Sequence, residues 1–312
     1  MRHPESALTT SSRSPANAST VSASAAGIRH HFTVDVEEYF QVSALEPFVA
    51  RSDWERIDSR LRIGMRWLLD HMAERNARGT FFTLGWIAKY HPDVVREIAA
   101  GGHEVASHGW GHERITTLTP EQFRVSVRDS KHVLEDLAGA PVLGYRAPSF
   151  SIVRGREWAL DILAEEGYRY DSSLVPVRRP GYGFAGGARH PHRLETRSGV
   201  LDELPPATVQ FGPAVLPAGG GAYFRLFPYS FVRAGLKAAE QRGVPGTFYI
   251  HPWELDPDQP RLPVPLRTRI RHYGGLGRTI PRLRRLFAEF RFQPIAETLG
   301  SMTELESIPV RA

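Results

Sequence analysis

Four clusters of polar side chains follow short apolar segments in this 312-residue sequence. The first is acidic: Asp35, Glu37 and Glu38 lie in the run HFTVDVEEYF, whose β-branched and aromatic residues predict a buried strand. Alternation along a strand sends Asp35 and Glu37 to the same side. Carboxylates are rarely buried at a strand end unless a cation or a catalytic role offsets their desolvation. The cluster therefore indicates either such a site or a strand that ends in solvated acids.

A histidine pair, His108 and His112, follows the strand-like segment HEVAS in the sequence HGWGH. Two imidazoles four residues apart on a turn can bind one Zn²⁺ at about 2.0–2.1 Å each. The spacing alone is weak support for a metal site, but its place directly after a strand strengthens it. The chain has no cysteine, so disulfides and thiolate ligands are excluded, and any metal must be bound by His, Asp or Glu.

Two further clusters each contain a side chain that can carry positive charge. Arg146, in YRAPSF, could orient a carboxylate by a bidentate contact, bind substrate, or lie in a surface turn. His251, in FYIHPWE, ends an apolar strand, with Trp253 and Glu254 close by. That setting suits a general acid whose pKa is set by its neighbours, and it equally suits a buried structural histidine.

The segments that must position these clusters alternate between strand-like and helix-like patterns. Helices are predicted over 58–76, 92–100, 119–139, 155–166 and 229–242 from apolar spacing, caps and glycine stops. Strand-like segments separate them, with LDELPPATV and GTFYIHPW predicted as the last core strands, and the Gly/Pro-rich residues 176–187 predict a long surface loop. This alternation predicts an α/β protein with a parallel sheet, closed or nearly closed, and helices outside. All four clusters lie at the carboxyl ends of predicted strands, where (β/α) barrels build their active sites.

Residues 1–28 are rich in Ser, Ala and Thr and are predicted to be a disordered tail. They lack the apolar core of a signal peptide, and the chain has no apolar run long enough to span a bilayer, so we expect a cytoplasmic location. The formal charge is +5, carried mostly by arginine, which leaves peripheral membrane association open. No nucleic-acid-binding motif accompanies the charge, and no nucleic-acid partner is expected.

Together and in this order, the four clusters resemble the motifs of the polysaccharide deacetylase family, also called the NodB-homology or carbohydrate esterase 4 family. The resemblance runs from His31 to about Trp253. The segments FTVDVEEYFQV, GGGAYFRLFPYSF and FYIHPWELDPDQP are similar to the branch found in exosortase-type exopolysaccharide loci. The resemblance implies a NodB-type distorted (β/α) barrel of about seven parallel strands with outer helices. It also implies that residues 29–312 form one deacetylase domain with a family-specific C-terminal extension.

The resemblance implies catalytic roles for four residues. Asp35 matches the catalytic base, Arg146 the arginine that orients this base, and His251 the general acid. Asp171, in YDSSL, lies where the family often has an acid that tunes this histidine. The residues expected at the substrate are Tyr145, Pro148, Tyr223 and Trp253. Of these, Tyr145 and Pro148 are expected near the negatively charged oxygen that develops from the acetyl carbonyl.

The same resemblance implies a metal site. His108 and His112 match two of the metal ligands. In the family, the third ligand is commonly the second of two adjacent aspartates. Here Val36 stands in that second position. A spaced acidic pair also occurs in the family, so the expected third ligand is Glu37, which strand alternation favours, with Glu38 as the alternate.

The implied reaction is metal-dependent hydrolysis of the N-acetyl amide of an amino sugar, with release of acetate. It requires one divalent ion, Zn²⁺ by default, with Co²⁺ or Mn²⁺ able to replace it. The expected partner is an acetylated oligo- or polysaccharide. The sequence does not specify the sugar, its linkage or the oligomeric state of the protein. It also does not specify whether the substrate is a polymer or a lipid-linked precursor. Two alternatives stand beside it: a metal-dependent amidohydrolase for a small cyclic amide or ureide, and a non-catalytic carbohydrate-binding relative.

Overall fold

The computed structural model describes residues 27–179, 182–299 and 305–310. The tail predicted at 1–28 therefore lies outside the described residues, except for its last two positions. Within the described ranges, no helix is both long enough and apolar enough to cross a bilayer.

A mostly parallel sheet is built around its first strand. In chain order, the strands are β1 (Arg29–Val36), β2 (Thr80–Thr83), β3 (Glu104–Ser107), β4 (Gly144–Tyr145), β5 (Tyr170–Asp171), β6 (His192–Thr196), β7 (Gly199–Glu203), β8 (Thr208–Phe211), β9 (Ala214–Pro217), β10 (Thr247–Ile250), β11 (Arg291–Gln293) and β12 (Ser307–Pro309). All of β1 except its first residue is buried, as is typical of a parallel strand covered on both faces. β1 pairs in parallel with β10 and β2, so that Val34 lies opposite Ile250 on one side and Phe81 on the other.

Seven parallel strands form a nearly closed barrel in the order β10, β1, β2, β3, β4, β5, β7. The chain that leaves β7 returns to β10, because Pro206 bridges Thr247 in parallel and the Ala207 N–H donates to the Thr247 carbonyl at 2.9 Å. The ring is distorted, since β4 and β5 have two residues each. The predicted α/β barrel of about seven parallel strands is confirmed.

Helices flank this barrel. They are α1 (Leu61–Glu74), α2 (Gly85–Tyr90), α3 (Pro92–Ala100), α4 (Pro120–Ala138), α5 (Trp158–Glu165), α6 (Gly221–Leu226), α7 (Tyr229–Gln241), α8 (Leu266–Tyr273), α9 (Thr279–Glu289) and α10 (Ile295–Leu299). α4 shows why some bounds were readable from sequence. The Gln122 N–H donates to the Thr119 hydroxyl at 3.2 Å, and the Thr119 N–H donates to the Gln122 side chain at 2.9 Å. Gly139 then ends the helix at φ +65°, a conformation that glycine adopts at little cost.

The part of the chain between β5 and β10 departs most from the sequence-based expectations. The segment LDELPPATV, predicted as one strand, is divided between β7 and β8, because Pro205 and Pro206 have no N–H to donate to a ladder. β6 pairs antiparallel with β7, β12 pairs parallel with β6, and β8 and β9 form a separate hairpin. The predicted surface loop 176–187 is partly buried, since Val177 and Phe184 join apolar clusters.

Close packing of α1 against the turn after β10 gives a first testable expectation. A Cβ added at Gly64 would overlap the backbone carbonyl of Pro252, the residue after His251. Gly64→Ala should lower the free energy of unfolding by about 2 kcal/mol, because overpacking against backbone outweighs the gain of about 1 kcal/mol in helix propensity. Urea denaturation measures the effect, and Gly277→Ala is the control, because a Cβ there meets nothing within 4 Å. Equal unfolding midpoints for both variants would contradict the expectation.

Candidate active site

The carboxyl ends of several strands converge on one cleft of about 610 Å³. β1 supplies Asp35 and, one residue beyond its end, Glu37. The turn after β3 supplies His108 and His112, and His251 directly follows β10. All five side chains line the cleft. The structure thus brings together most of the polar residues singled out in the sequence, at the end of the barrel where such folds place their chemistry.

Glu37, His108 and His112 form a buried group whose candidate ligand atoms all lie within 4.8 Å of one another. Glu37 Oε2 is 2.8 Å from His112 Nε2 and 4.0 Å from His108 Nε2. The shorter contact lacks hydrogen-bond geometry, and this buried oxygen has no hydrogen-bond partner among the described residues. Such an oxygen beside two imidazole nitrogens fits a divalent cation, which would take all three side chains as ligands.

The protonation states of these residues suit metal binding. His108 Nδ1 lies 2.8 Å from the Arg146 carbonyl oxygen, so Nδ1 carries the proton and Nε2 presents its lone pair. Burial lowers the pKa of His108 to about 4, which keeps its ring neutral at pH 7. Burial alone would raise the pKa of Glu37, but the nearby imidazoles of His112 and His251 lower it to about 2, so this carboxylate is ionised.

The turn that carries the histidine pair has an unusual backbone. Gly109 and His112 both adopt left-handed conformations, with φ of +77° and +60°. This conformation costs a non-glycine residue about 1 kcal/mol or more, and it is found where the surrounding structure enforces it. Here two amides at the start of α2 donate to the carbonyls of Gly109 and Trp110 at 2.9 and 2.8 Å. The resulting turn places the rings of His108 and His112 with their centroids 5.4 Å apart.

The structure separates the two glutamates that the sequence left as alternatives. Glu38 accepts hydrogen bonds from the backbone N–H groups of Arg60 and Leu61, at 3.2 and 3.3 Å, and from the Ser59 hydroxyl. It therefore satisfies free amides at the start of α1. Strand alternation turns it away from the histidines, so Glu37 is the residue that the fold brings to them.

Asp35 is held by an arginine in the barrel interior. Arg146 Nη1 donates to Asp35 Oδ1 and to Thr33 Oγ1, both at 2.7 Å, and its other nitrogens donate to the carbonyl and hydroxyl of Ser172 at 3.2 and 2.9 Å. The guanidinium is fully buried and lies over the ring of Phe82, 4.1 Å from its centroid. These side-chain contacts fix the guanidinium, which in turn holds one oxygen of Asp35, while the second oxygen faces His251 in the cleft.

His251 stands between carboxylates. Its Nδ1 lies 2.6 Å from Glu254 Oε1, while its Nε2 faces Asp35 Oδ2 at 3.8 Å and Glu37 Oε1 at 3.7 Å. Burial alone would lower the pKa of His251, but the charge of Glu37 and the hydrogen bond to Glu254 raise it to about 9, so the ring is protonated at pH 7. Glu254 also pairs with the buried Arg225, which donates to carbonyl oxygens of the last turn of α8 at 2.9 and 3.0 Å.

The Arg225–Glu254–His251 chain predicts two effects of one substitution. Glu254→Gln should lower stability by about 3–5 kcal/mol, because it leaves the Arg225 charge buried without its anion. It should also lower kcat for amide hydrolysis more than Asp171→Asn does, because the ring of His251 loses the partner that orients it. Thermal unfolding and steady-state kinetics measure the two effects. A larger kcat loss in Asp171→Asn would show that Asp171 is the acid on which His251 depends.

Asp171 is buried away from His251. Its carboxylate accepts hydrogen bonds from the Ser173 hydroxyl at 2.6 Å and the Ser173 N–H at 3.1 Å, and it lies beside Glu203, its register partner on β7. Burial, together with the charge of Asp171, raises the pKa of Glu203 well above its usual range. Alternation explains the difference from the expected position: Ser172 faces Arg146 in the barrel, so the neighbouring Asp171 faces outward. The acid on Nδ1 of His251 is Glu254, from the same turn.

Of the four residues expected at the substrate, two line the cleft and two do not. Tyr223 and Trp253 line it. Tyr145 and Pro148 are buried outside it, and the ring of Tyr145 packs against Phe123 of α4 at a centroid distance of 5.7 Å. Tyr145 ends the two-residue strand β4, and its side chain points to the helix layer because the next residue points inward.

Sequence reasoning missed several residues at the cleft. Ser149 and Phe150, directly after Pro148, line it with left-handed φ values of +55° and +53°. Tyr182 also lines it, and its hydroxyl lies 3.1 Å from that of Tyr223. Arg225 was missed as well. A lone arginine inside the apolar run AYFRLF is a usable signal, because a charge buried among apolar residues requires a partner.

Comparisons with known proteins agree with this geometry. Residues 64–170 match the polysaccharide deacetylase family, and residues 172–300 match a domain of unknown function, DUF3473. The chain is 32% identical over 110 residues to a chitooligosaccharide deacetylase of Rhizobium leguminosarum bv. trifolii, an alignment that covers 35% of this chain and 47% of that protein. It is 28% identical over 95 residues to a peptidoglycan-N-acetylglucosamine deacetylase of Bacillus cereus, with 30% and 34% covered. The chain thus spans less than half the length of either relative.

A solved structure extends the likeness to nearly the whole chain. The crystal structure of a candidate polysaccharide deacetylase from Mycobacterium smegmatis matches with a TM-score of 0.61 at 22% identity, over 91% of this chain and 95% of that one. At this identity the match shows a shared fold.

Fold and site together define a (β/α)-barrel protein with a glutamate–histidine group able to hold a metal ion. Within this chain, residues 64–170 are similar to the polysaccharide deacetylase family. The matched residues include His108, His112 and Arg146, whereas Glu37 precedes them and His251 follows them. The site is therefore assembled from three parts of the chain.

Proposed function

We propose that the protein is a metal-dependent N-deacetylase that hydrolyses the acetamide of an amino sugar in an oligo- or polysaccharide or its precursor. The observation that carries the proposal is the ionised Glu37 oxygen without a hydrogen bond beside His108 and His112, with Asp35 and His251 in the same cleft. The names of the two curated relatives, both deacetylases of acetylated saccharides, support the substrate class.

The residues that would hold the ion are Glu37, His108 and His112, and we propose Zn²⁺, with Co²⁺ or Mn²⁺ as replacements. Three protein ligands are the number typical of catalytic rather than structural zinc sites. When bound, the ion would supply positive charge that acidifies a water molecule and polarises the acetyl carbonyl.

Asp35 is the proposed general base. Its Oδ1 is fixed by Arg146 at 2.7 Å, and its Oδ2 faces the cleft. Asp35 would accept one proton of the attacking water as the water oxygen bonds to the acetyl carbon. Arg146 contributes by position: it keeps the carboxylate from turning towards the barrel interior.

A backbone amide is available for the negative charge that develops on the acetyl oxygen. In the turn after β4, the amides of Arg146 and Ala147 already donate to Ser107 and Ser173, and Pro148 has no N–H. We assign the oxyanion contact to the amide of Ser149, which lines the cleft.

His251 is the proposed general acid. Its Nε2 faces the centre of the cleft, and the hydrogen bond from Nδ1 to Glu254 favours the protonated ring. It would donate its proton to the sugar nitrogen as the carbon–nitrogen bond breaks, so that acetate and a free amine leave. Glu254 holds the ring through Nδ1 during this transfer.

We further propose that residues 29–312 act as one domain and that the substrate belongs to an exopolysaccharide. The single domain is supported by β7 and β10, which lie outside the family match yet complete the barrel. The exopolysaccharide is supported by the three sequence segments that resemble the exosortase-locus branch. Tyr223 and Trp253 offer aromatic faces on which a sugar ring can stack.

Acetate release tests the proposed function. Zinc-loaded protein should release acetate from N-acetylglucosamine oligomers of two to six units and should leave cyclic amides and ureides such as hydantoin intact. Hydrolysis of hydantoin alone would replace the proposal with a small-amide hydrolase. A protein that binds no zinc or cobalt and releases no acetate would be a non-catalytic relative.

A further inference from the structure

One wall of the cleft comes largely from the part of the chain that matches a domain of unknown function, residues 172–300. This segment also contains β7 and β10, so it both completes the barrel and faces the substrate. Besides Tyr249, His251 and Trp253, the wall presents two further tyrosines and two exposed arginines to the cleft, namely Tyr182, Tyr223, Arg179 and Arg271.

Neither arginine has a paired carboxylate among the described residues: no carboxylate there lies within 4.0 Å of Arg179 or Arg271. Both lie near Tyr182: burial raises the pKa of this tyrosine, and the charges of the two arginines oppose that rise. Since Tyr182 and Tyr223 are joined by a 3.1 Å contact between hydroxyls, the four side chains form one polar group at the cleft wall.

The other arginines of the cleft are already paired. Arg225 is bound to Glu254, and Arg114 lies 3.2 Å from Glu46. The carboxylates that line the cleft belong to the catalytic centre, Asp35 and Glu37. Away from that centre, the cleft therefore has an excess of positive charge, which a low-dielectric concave wall focuses on whatever occupies it.

We propose that Arg179 and Arg271 form a subsite for a negatively charged group, a carboxylate or a phosphate, carried by the saccharide next to its acetylated sugar. This subsite rests on the proposed deacetylase function and narrows its substrate to acidic saccharides. A guanidinium matches both kinds of anion with two parallel hydrogen bonds, and the tyrosine hydroxyls add further donors. The role of the 172–300 segment is then to select the saccharide as well as to supply the general acid.

Substrate preference tests the subsite. The activity of the wild-type protein is compared on two pairs of substrates. The first pair is a neutral N-acetylglucosamine hexamer and a hexamer of alternating N-acetylglucosamine and glucuronate. The second pair is free N-acetylglucosamine and N-acetylglucosamine 1-phosphate. We expect kcat/KM to favour the acidic member of at least one pair, and the pair that shows it identifies carboxylate or phosphate. In the double variant Arg179→Gln/Arg271→Gln, the ratio of kcat/KM for the acidic saccharide to kcat/KM for the neutral one should fall about tenfold, as expected when two partly exposed ion pairs are lost.

Arg267→Gln/Arg269→Gln is the matched control, because it removes the same two charges from exposed positions on α8, outside the cleft. An equal fall in this control would indicate a general effect of surface charge and overturn the subsite. So would equal activity on neutral and acidic saccharides, a result that leaves the deacetylase function intact. Calorimetric binding of the same saccharides to the Asp35→Asn protein measures the subsite without turnover, and a lack of preference for the acidic saccharides there would also overturn it.

Discussion

Glu37→Gln is expected to abolish metal binding, with less than about 0.1 equivalent of zinc retained after dialysis where the wild type retains one. Acetate release should fall at least about a thousandfold, since the ion is expected to contribute several kcal/mol to transition-state stabilisation. The physical reason is charge. Glu37 is the ionised member of the ligand group, its Oε2 lacks a hydrogen bond, and an amide presents a weaker ligand to the ion. Elemental analysis and an acetate assay measure the two losses.

Glu38→Gln is the matched control one residue along the chain. Glu38 caps the start of α1 instead of facing the histidines, so this variant should keep its zinc and its activity. It should lose about 1 kcal/mol of stability, as is usual when a capping side chain is weakened. The reverse pattern, with zinc lost in Glu38→Gln and kept in Glu37→Gln, would make Glu38 the ligand.

Asp35→Asn is expected to lower kcat by about 10²- to 10⁴-fold while zinc stays at one equivalent. Asparagine has nearly the same shape but cannot accept the proton of the attacking water. The metal group should survive, because its candidate ligands are Glu37, His108 and His112. The substitution also removes the anion that faces Arg146, so a loss of about 3–5 kcal/mol in stability accompanies it.

Metal content separates a base from a ligand in this experiment. If Asp35→Asn lost its zinc together with its activity, Asp35 would be a ligand and another group would have to accept the proton. Full activity with zinc bound would remove Asp35 from the mechanism altogether. Thr33→Val serves as the structural control: it removes the other hydrogen bond of Arg146 Nη1 but keeps the Asp35 carboxyl group, so kcat should change far less.

Much of the fold was readable from local patterns. The alternation of strand-like and helix-like segments predicted the parallel barrel, because the spacing of apolar residues along the chain indicates whether a segment is a strand or a helix and which of its faces is buried. The caps of α4 and the glycine after it are contacts between near neighbours in sequence, so its bounds could be read directly. The sequence did not reveal the division at Pro205 and Pro206 or the antiparallel β6, since these depend on which distant strand lies alongside.

The sequence by itself determined which residue types stand at the strand ends: the acidic run at Asp35, the histidine pair and the late His251. Parallel strands that all end at the same rim had to bring such residues near one another. Only the tertiary structure decided which of them meet. Glu254 rather than Asp171 contacts His251, Tyr145 faces the helix layer rather than the cleft, and Arg225 joins a helix end to the active site. The Glu254 contact is local, between residues three apart, whereas Arg225 reaches α8 across 47 residues of chain. Asp171 and Tyr145 are turned away from the site because the facing of β4 and β5 depends on the twist and closure of the barrel, which no local pattern encodes.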